Sequence, residues 1–230
     1  MGMLSPVELE ALRVSLAVAA RSVLITLPVA LVVAWVLARR RFAGRLALDA
    51  IVHLPLVLPP VVVGYLLLVL FGARGPLGAW LASTLGLRLP FTTAGAALAT
   101  AVMSFPLVVR AMRLALEGVD PGLEDAARTL GAGPIDRFLT ITLPLMTPGI
   151  LAGAITAFAA SLGEFGAVIT FAGNVPGQTQ TLPLALYSAL ETADGAATAA
   201  RLAALSVVLG VAGLLLAELL ARRARAWLGR

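Results

Sequence analysis

Five stretches of the chain are apolar at nearly every position over about 17 to 25 residues, the length a helix needs to cross the hydrocarbon core of a bilayer. They lie near residues 15–38, 51–72, 93–112, 149–171 and 202–221. Lipid offers no partner for backbone N–H and C=O groups, and the alternation of barrel strands is absent, so each stretch predicts a helix. The fold class expected is an all-α integral membrane protein with five transmembrane helices, a single membrane domain over residues 1–230. Between the third and fourth stretches the pattern changes. Residues 124–145, EDAARTLGAGPIDRFLTITLPL, are polar and broken by glycine and proline, yet keep a helical period. They sit in a connecting loop over residues 113–148.

Local rules resolve that insert into two short helices. Asp120 followed by Pro121 reads as an N-cap and a first helical position, because aspartate accepts a free amide and proline has none to leave unsatisfied. Leu123, Ala126, Ala127 and Leu130 fall at i, i+3, i+4 and i+7, giving one apolar face with two small residues at its centre. Glu124, Asp125 and Arg128 lie on other faces. Gly131 stands where a helix end commonly takes a left-handed residue, which limits the first helix to about ten residues. Gly133 and Pro134 open a second helix through Ile135, Phe138 and Leu139. It is expected to end before Pro144, since proline disfavours helix in the residue ahead of it, with Pro148 and Gly149 starting the fourth span.

Composition sharpens the contrast. Hydrophobic residues make up 60% of the chain and charged ones 13%, with a mean hydropathy of +0.99. A water-soluble domain is apolar over roughly half its residues. No cysteine is present and all 17 basic residues are arginine. Disulfides, thiolate chemistry, a P-loop lysine and a Schiff-base lysine are therefore excluded. A single histidine, His53, removes most zinc and haem arrangements; it reads as an interface residue near the end of span two. H-E-x-x-H and G-x-S-x-G are absent. A metal site, a catalytic centre and nucleic-acid binding are not expected.

The arginines set the orientation. Twelve fall on one side: Arg39, Arg40, Arg41 and Arg45 after span one, Arg110, Arg113, Arg128 and Arg137 in or beside the insert, and Arg222, Arg223, Arg225 and Arg230 in the tail. Arg13, Arg21, Arg74, Arg88 and Arg201 make five on the other. The positive-inside rule makes the richer side cytoplasmic, so the N-terminus lies outside, the C-terminus inside, and the insert faces the cytoplasm. Glu8 and Glu10 stand where a signal peptide carries basic residues, so span one is read as uncleaved. On the outer side, residues 72–90 with Trp80 suit a helix at the interface, and residues 173–195 hold a short helix from Pro183 to Leu190. Glu218 and Arg201 mark the two ends of span five.

Several residues inside the spans are candidates for a path or gate. Pro55, Pro59 and Pro60 in HLPLVLPP each remove an amide and free a carbonyl, which membrane helices tolerate where protein or water takes it up. A bent, hinging, pore-facing helix and a packing kink both fit, and Pro106 after Phe105 carries the same pair of readings. Glu164, between Gly163 and Gly166, lies about 22 Å past Gly149 along a straight helix, beyond the midplane. A carboxylate at that depth points to an interior or aqueous surface. Its charge suits positioning or gating and would repel a bound anion.

At this point the chain resembles the permease subunits of ABC importers. DAARTLGAGPIDRFLTITLP fits the EAA loop of that family through Asp125, Ala126, Ala127, Gly131, Ile141, Leu143 and Pro144. The family's usual glutamate is replaced by Asp125, with Glu124 immediately before it, which leaves open which carboxylate takes the acidic role. Residues 53–69, 101–120 and 161–171 are similar to the molybdate branch, whose relatives carry sulfate and tungstate. The resemblance implies a type I importer permease fold in the cell inner membrane, working as a homodimer with two cytoplasmic ABC ATPases and a periplasmic oxyanion-binding protein. It implies that the polar insert is a coupling helix, with Glu124, Asp125, Ala126, Ala127, Arg128, Gly131, Ile141, Leu143 and Pro144 at the ATPase. ATP–Mg would be bound by the partner subunit, leaving this chain without a cofactor, and the cargo would be a tetrahedral oxyanion, molybdate first. Sulfate or tungstate transport is the nearest alternative. An ATP-independent secondary transporter is a further one, although the paired repeats of such proteins are not visible.

Overall fold

The computed structural model describes residues 5–227. Among them eleven α-helices and one π-helical turn follow in order. Helix α1 (Pro6–Arg39) begins at a capping box. The Ser5 hydroxyl accepts from the Glu8 amide, and the Glu8 carboxylate accepts from the Ser5 amide at 2.8 Å. The helix thus starts well before the apolar stretch, because two polar side chains satisfy its first amides. Next come α2 (Arg45–Val57), α3 (Pro60–Phe71), α4 (Pro76–Leu85) and α5 (Thr93–Glu117). The insert forms α6 (Pro121–Thr129) and α7 (Pro134–Arg137), and a π-helical turn (Phe138–Thr142) leads into α8 (Leu143–Gly163). Helices α9 (Gly166–Phe171), α10 (Leu182–Leu190) and α11 (Ala196–Trp227) complete the chain.

Among the described residues, four helical stretches are long and apolar enough to cross a membrane: Pro6–Arg39, Thr93–Glu117, Pro134–Gly163 and Ala196–Leu216. The stretch expected as one bent span over residues 51–72 is two helices instead, α2 and α3, set at 118° to each other. They make a fifth span only if the pair is counted as one. The cause is local. A residue ahead of proline is pushed out of the helical region, and Leu58 and Pro59 precede Pro59 and Pro60. Both adopt extended backbone, with ψ of 142° and 136°.

Helices α1, α5 and α8 form the centre. Their contact surfaces are built from small residues, so that backbones approach closely in the absence of a water-driven hydrophobic force. A Cβ placed on Gly149 would collide with the Ala115 methyl group, and one on Gly153 would lie 3.1 Å from Val108. Two apolar clusters stack along this centre. One joins Val14 and Val18 of α1 to Val63, Ala96, Val168 and Phe171. The other joins Ala30, Ala34 and Leu37 of α1 to Val108, Met112, Leu116 and Met146. Large apolar side chains such as Leu24, Val32, Val207 and Leu214 stay exposed, as lipid-facing positions require.

Charges sit at the two ends of this bundle. At one end Glu8, 1% exposed, accepts a hydrogen bond from Arg201 Nε at 2.6 Å and joins the start of α1 to the start of α11. At the other, Arg113 bridges Asp49 of α2 at 3.3 Å and Glu117 at 2.8 Å. Helix α10 covers Leu182–Leu190, close to the short outer helix expected from Pro183, and α4 carries the exposed Trp80. Arg230 lies outside the described residues.

Candidate functional site

The insert folds as its caps dictate. Asp120 is the N-cap of α6 and its Oδ1 accepts from the Gly122 amide at 2.8 Å, with Pro121 at the first helical position. The far end closes with two bonds: the Ala132 amide donates to the Ala127 carbonyl at 3.0 Å and the Gly131 amide to the Arg128 carbonyl at 3.1 Å. These are the 6→1 and 5→2 bonds of a Schellman motif, which needs a left-handed residue at the position Gly131 fills. Gly131 has φ +89°. Helix α6 is therefore nine residues long, and the chain leaves it at a fixed angle.

Most of this elbow faces outward. No residue of α6 is buried. Leu123, Leu130, Ile135 and Leu139 expose apolar surface, Leu130 to 89%. Ala126 is exposed beside them, whereas Ala127 is half-buried and carries the carbonyl that closes the motif. The two adjacent carboxylates diverge. Asp125 is exposed and pairs with Arg128 one turn on, at 3.2 Å. Glu124 points back toward the bundle, where its Oε1 accepts from Arg39 Nη2 at 3.0 Å and from the Thr142 hydroxyl at 2.7 Å.

The second arm differs from the expected pattern. Pro144 does not end the helix and Pro148 does not begin a new one. Helical structure is continuous from Pro134 to Gly163. The π-helical turn explains this. The Leu143 amide bonds to the Phe138 carbonyl, five residues back, so the ladder is widened where Pro144 would otherwise clash with the carbonyl four residues behind it. Ile141, Leu143 and Pro144 consequently sit half-buried at the foot of α8 and not on the elbow's outward face.

The proline and glutamate candidates separate into two groups. Pro59 and Pro60 are exposed at the break between α2 and α3. Glu164, placed by the sequence inside a continuous span over residues 149–171, lies instead at a second break. Helix α8 stops at Gly163. Glu164, one residue ahead of the N-cap Phe165, turns to ψ 128°, and its Oε1 accepts from the Ala167 amide in the first turn of α9 at 3.0 Å. The physical reason is the one that places carboxylates at N-caps generally: the side chain satisfies an amide left free by the interrupted ladder. The two breaks touch. A Cβ on Gly166 would lie 2.8 Å from Pro60 Cβ, and one on Gly64 would lie 2.8 Å from both the Ala167 carbonyl and Thr170 Cβ. Pro55 lies within α2, half-buried, and Pro106 is buried within α5, so neither joins this junction.

Sequence reasoning did not find the polar cluster joining α2 to α5. Asp49, His53, Arg110, Arg113 and Glu117 line a cavity of about 260 Å³. His53 Nδ1 lies 2.8 Å from the Asp49 carbonyl oxygen, which can only accept, so that nitrogen carries the proton in this contact. Its partners within α2 hold it as an anchored side chain near the helix end. The i, i+4 spacing of Arg113 and Glu117 was legible in the sequence; the 64 positions between Asp49 and Arg113 hid the rest.

Comparison with known proteins gives this geometry its context. The family model for "Binding-protein-dependent transport system inner membrane component" matches residues 27–226. The molybdenum transport system permease protein ModB of Escherichia coli (strain K12) is 55% identical over 223 residues, 97% of each chain. Its Haemophilus influenzae counterpart is 51% identical over the same share. The sulfate transport system permease protein CysT of Escherichia coli (strain K12) is 41% identical over 186 residues, 81% of this chain and 66% of that one. Among solved structures, a bacterial ABC transporter that imports the acidic polysaccharide alginate matches with TM-score 0.75 at 18% identity, covering 96% of this chain and 80% of that one. An inward-facing MetNI methionine ABC transporter matches with TM-score 0.68 at 18% identity over 94% of each. At such identities the likeness is one of fold, that of ABC transporter membrane subunits. Matched over 200 of its 230 residues, the chain belongs to the family of inner membrane components of binding-protein-dependent transport systems.

Proposed function

We propose that this chain is the permease subunit of an ATP-driven importer for a tetrahedral oxyanion, with molybdate as cargo. The observation that carries the cargo is the 55% identity to a molybdenum transport permease along 97% of both chains. The reading extends to a homodimer, two cytoplasmic ATPases that bind ATP–Mg, a periplasmic oxyanion-binding protein, and a topology with the N-terminus outside and the C-terminus in the cytoplasm. Bond-making chemistry belongs to the ATPase.

The elbow supports the coupling part of this reading. Helix α6 exposes leucines on a rigid, capped scaffold at the arginine-rich end, which suits insertion into a groove of a partner protein better than solvation. Asp125 and Arg128 form a charged rim able to set register on that partner. The contacting breaks at Pro59–Pro60 and Glu164 suit a gate, because broken helices recur where a path crosses a membrane and irregular backbone is admitted only beside protein or water.

The test uses proteoliposomes that hold the permease with its ATPase and a periplasmic molybdate binder. Molybdate uptake is expected to need ATP, the ATPase and the binder together. Uptake that persists without the ATPase would turn the assignment toward secondary transport. Uptake of sulfate in place of molybdate, each offered with its own binder, would favour the sulfate branch, to which the chain is less similar, 41% against 55% identity.

A further inference from the structure

We infer that Glu124 is a positioning residue that fastens the coupling helix to the membrane helices, while the neighbouring Asp125 is left to the ATPase side. The inference rests on the coupling role given to α6 above and adds how a displacement of that helix reaches the bundle.

Helix α6 lies on the surface of the protein. None of its residues is buried. Its other polar side chains bond within the insert: Asp120 to the Gly122 amide, Thr129 to the Ala126 carbonyl, and Asp125 to Arg128. Among the described residues, Glu124 is the α6 side chain whose hydrogen bonds reach the transmembrane helices. One of its oxygens collects two of them. Arg39 Nη2, at the last residue of α1, donates at 3.0 Å, and the hydroxyl of Thr142, where the π-helical turn meets α8, donates at 2.7 Å.

The chemistry of this node favours a firm link. Both members of the ion pair are about three-quarters covered, with side-chain exposures of 23% and 26%, and Thr142 is 3% exposed. Partial burial removes much of the solvent screening that makes exposed pairs weak. A charge-assisted bond from Arg39 and a short bond from a buried hydroxyl are each stronger than a neutral surface contact. Loss of the carboxylate would leave the Thr142 hydroxyl buried without its acceptor. Arg39 also gains from standing at the C-terminus of α1, where the helix dipole favours a cation, so the anchor point is itself fixed. One residue on the handle thus grips α1 and α8 together, and these two helices pack on each other and on α5.

The experiment compares variants of the full permease, reconstituted with its ATPase and binder, by three readouts: ATPase retained on purification, ATP hydrolysed, and molybdate taken up per ATP. Glu124→Ala is expected to retain the ATPase and hydrolyse ATP while uptake per ATP falls about tenfold, the scale of one charge-assisted hydrogen bond. The exchange Arg39→Glu with Glu124→Arg is expected to recover part of that ratio, because it restores the pair and not the Thr142 bond. Thr142→Val, a milder change should Glu124→Ala fail to insert, is expected to lower the ratio with the ATPase still bound. Loss of the ATPase from Glu124→Ala would make Glu124 an outward contact and overturn the inference. So would a wild-type ratio in Glu124→Ala or Thr142→Val, or an exchange no better than Glu124→Arg alone. Leu130→Glu tests the underlying coupling role separately. It should strip the ATPase, and if it retains both ATPase and uptake, the docking assignment of the elbow fails whatever Glu124 does.

Discussion

Gly131→Ala isolates the backbone geometry of the elbow from every other effect. Gly131 has φ +89°, and a Cβ built there meets no atom within 4 Å. A methyl group therefore brings no clash, and its whole cost is the left-handed conformation, about 1–2 kcal/mol for a residue other than glycine. That corresponds to a factor of about 5–30 in the population of the closed elbow. Opening it would sacrifice the bonds from Ala132 to Ala127 and from Gly131 to Arg128. Asparagine tolerates the left-handed region and should cost less than alanine, whereas valine, stiff at χ1, should cost more. Proline, fixed near −65°, cannot adopt +89° and also lacks the amide that bonds Arg128. The assay is ATP-dependent uptake in proteoliposomes, normalised to permease inserted and with ATPase activity measured in parallel. Rates should fall in the order glycine, asparagine, alanine, valine, proline, with uptake lost faster than ATP hydrolysis. Wild-type uptake by Gly131→Ala, or an asparagine variant worse than alanine, would refute the reasoning.

Two further outcomes follow from the packing. Glu164→Ala removes the acceptor of the Ala167 amide at the start of α9, a hydrogen bond worth about 1 kcal/mol, and should change transport or leak rate without altering affinity for the binding protein, whereas Glu164→Gln keeps an acceptor oxygen and should lie nearer wild type; equal rates in all three proteins would remove Glu164 from the proposed gate. Gly149→Leu drives a side chain into Ala115 on α5 and should lower the thermal midpoint in detergent through an overpacking cost of about 1–3 kcal/mol, while Gly163→Ala, where a Cβ meets nothing within 4 Å, should leave it unchanged; a melting temperature indifferent to Gly149→Leu would contradict the close packing of α8 on α5.

The sequence revealed what short-range rules control. Asp120, Pro121 and Gly131 specify the start and stop of α6 within a dozen residues, and the structure follows them. The fourth span shows where the same rules fall short. Proline locally predicts a helix end, yet a single π-helical turn absorbs Pro144, and whether that turn forms depends on what the neighbouring helices accept. The breaks at Pro59–Pro60 and at Glu164 are half legible. Prolines announce the first, but its 118° angle is set with the seating of Gly166 against Pro60, a contact between segments about a hundred positions apart. Nothing local identifies the partners of Glu124 or Glu8, since Arg39 and Arg201 lie 85 and 193 residues away. The choice between the two carboxylates of the insert was open in the sequence for this reason: both lie on α6, and only the positions of α1 and α8 distinguish inward from outward.

Helix α1 has a polar fastening at each end. Near its start, the covered Glu8 is tied to Arg201 of α11; at its last residue, Arg39 meets Glu124 of α6. A helix of 34 residues is about 51 Å long and carries Arg39 about 46 Å from Glu8, so a shift of about 3 Å at Arg39 tilts it by only about 4° around a fulcrum at Glu8. Over such a lever arm, small rotations at the Glu8 end correspond to ångström-scale travel at the Arg39 end. Pro28, inside the helix, marks where the rod would flex first, so the stiffness of that single turn would set how much of a displacement at one end reaches the other.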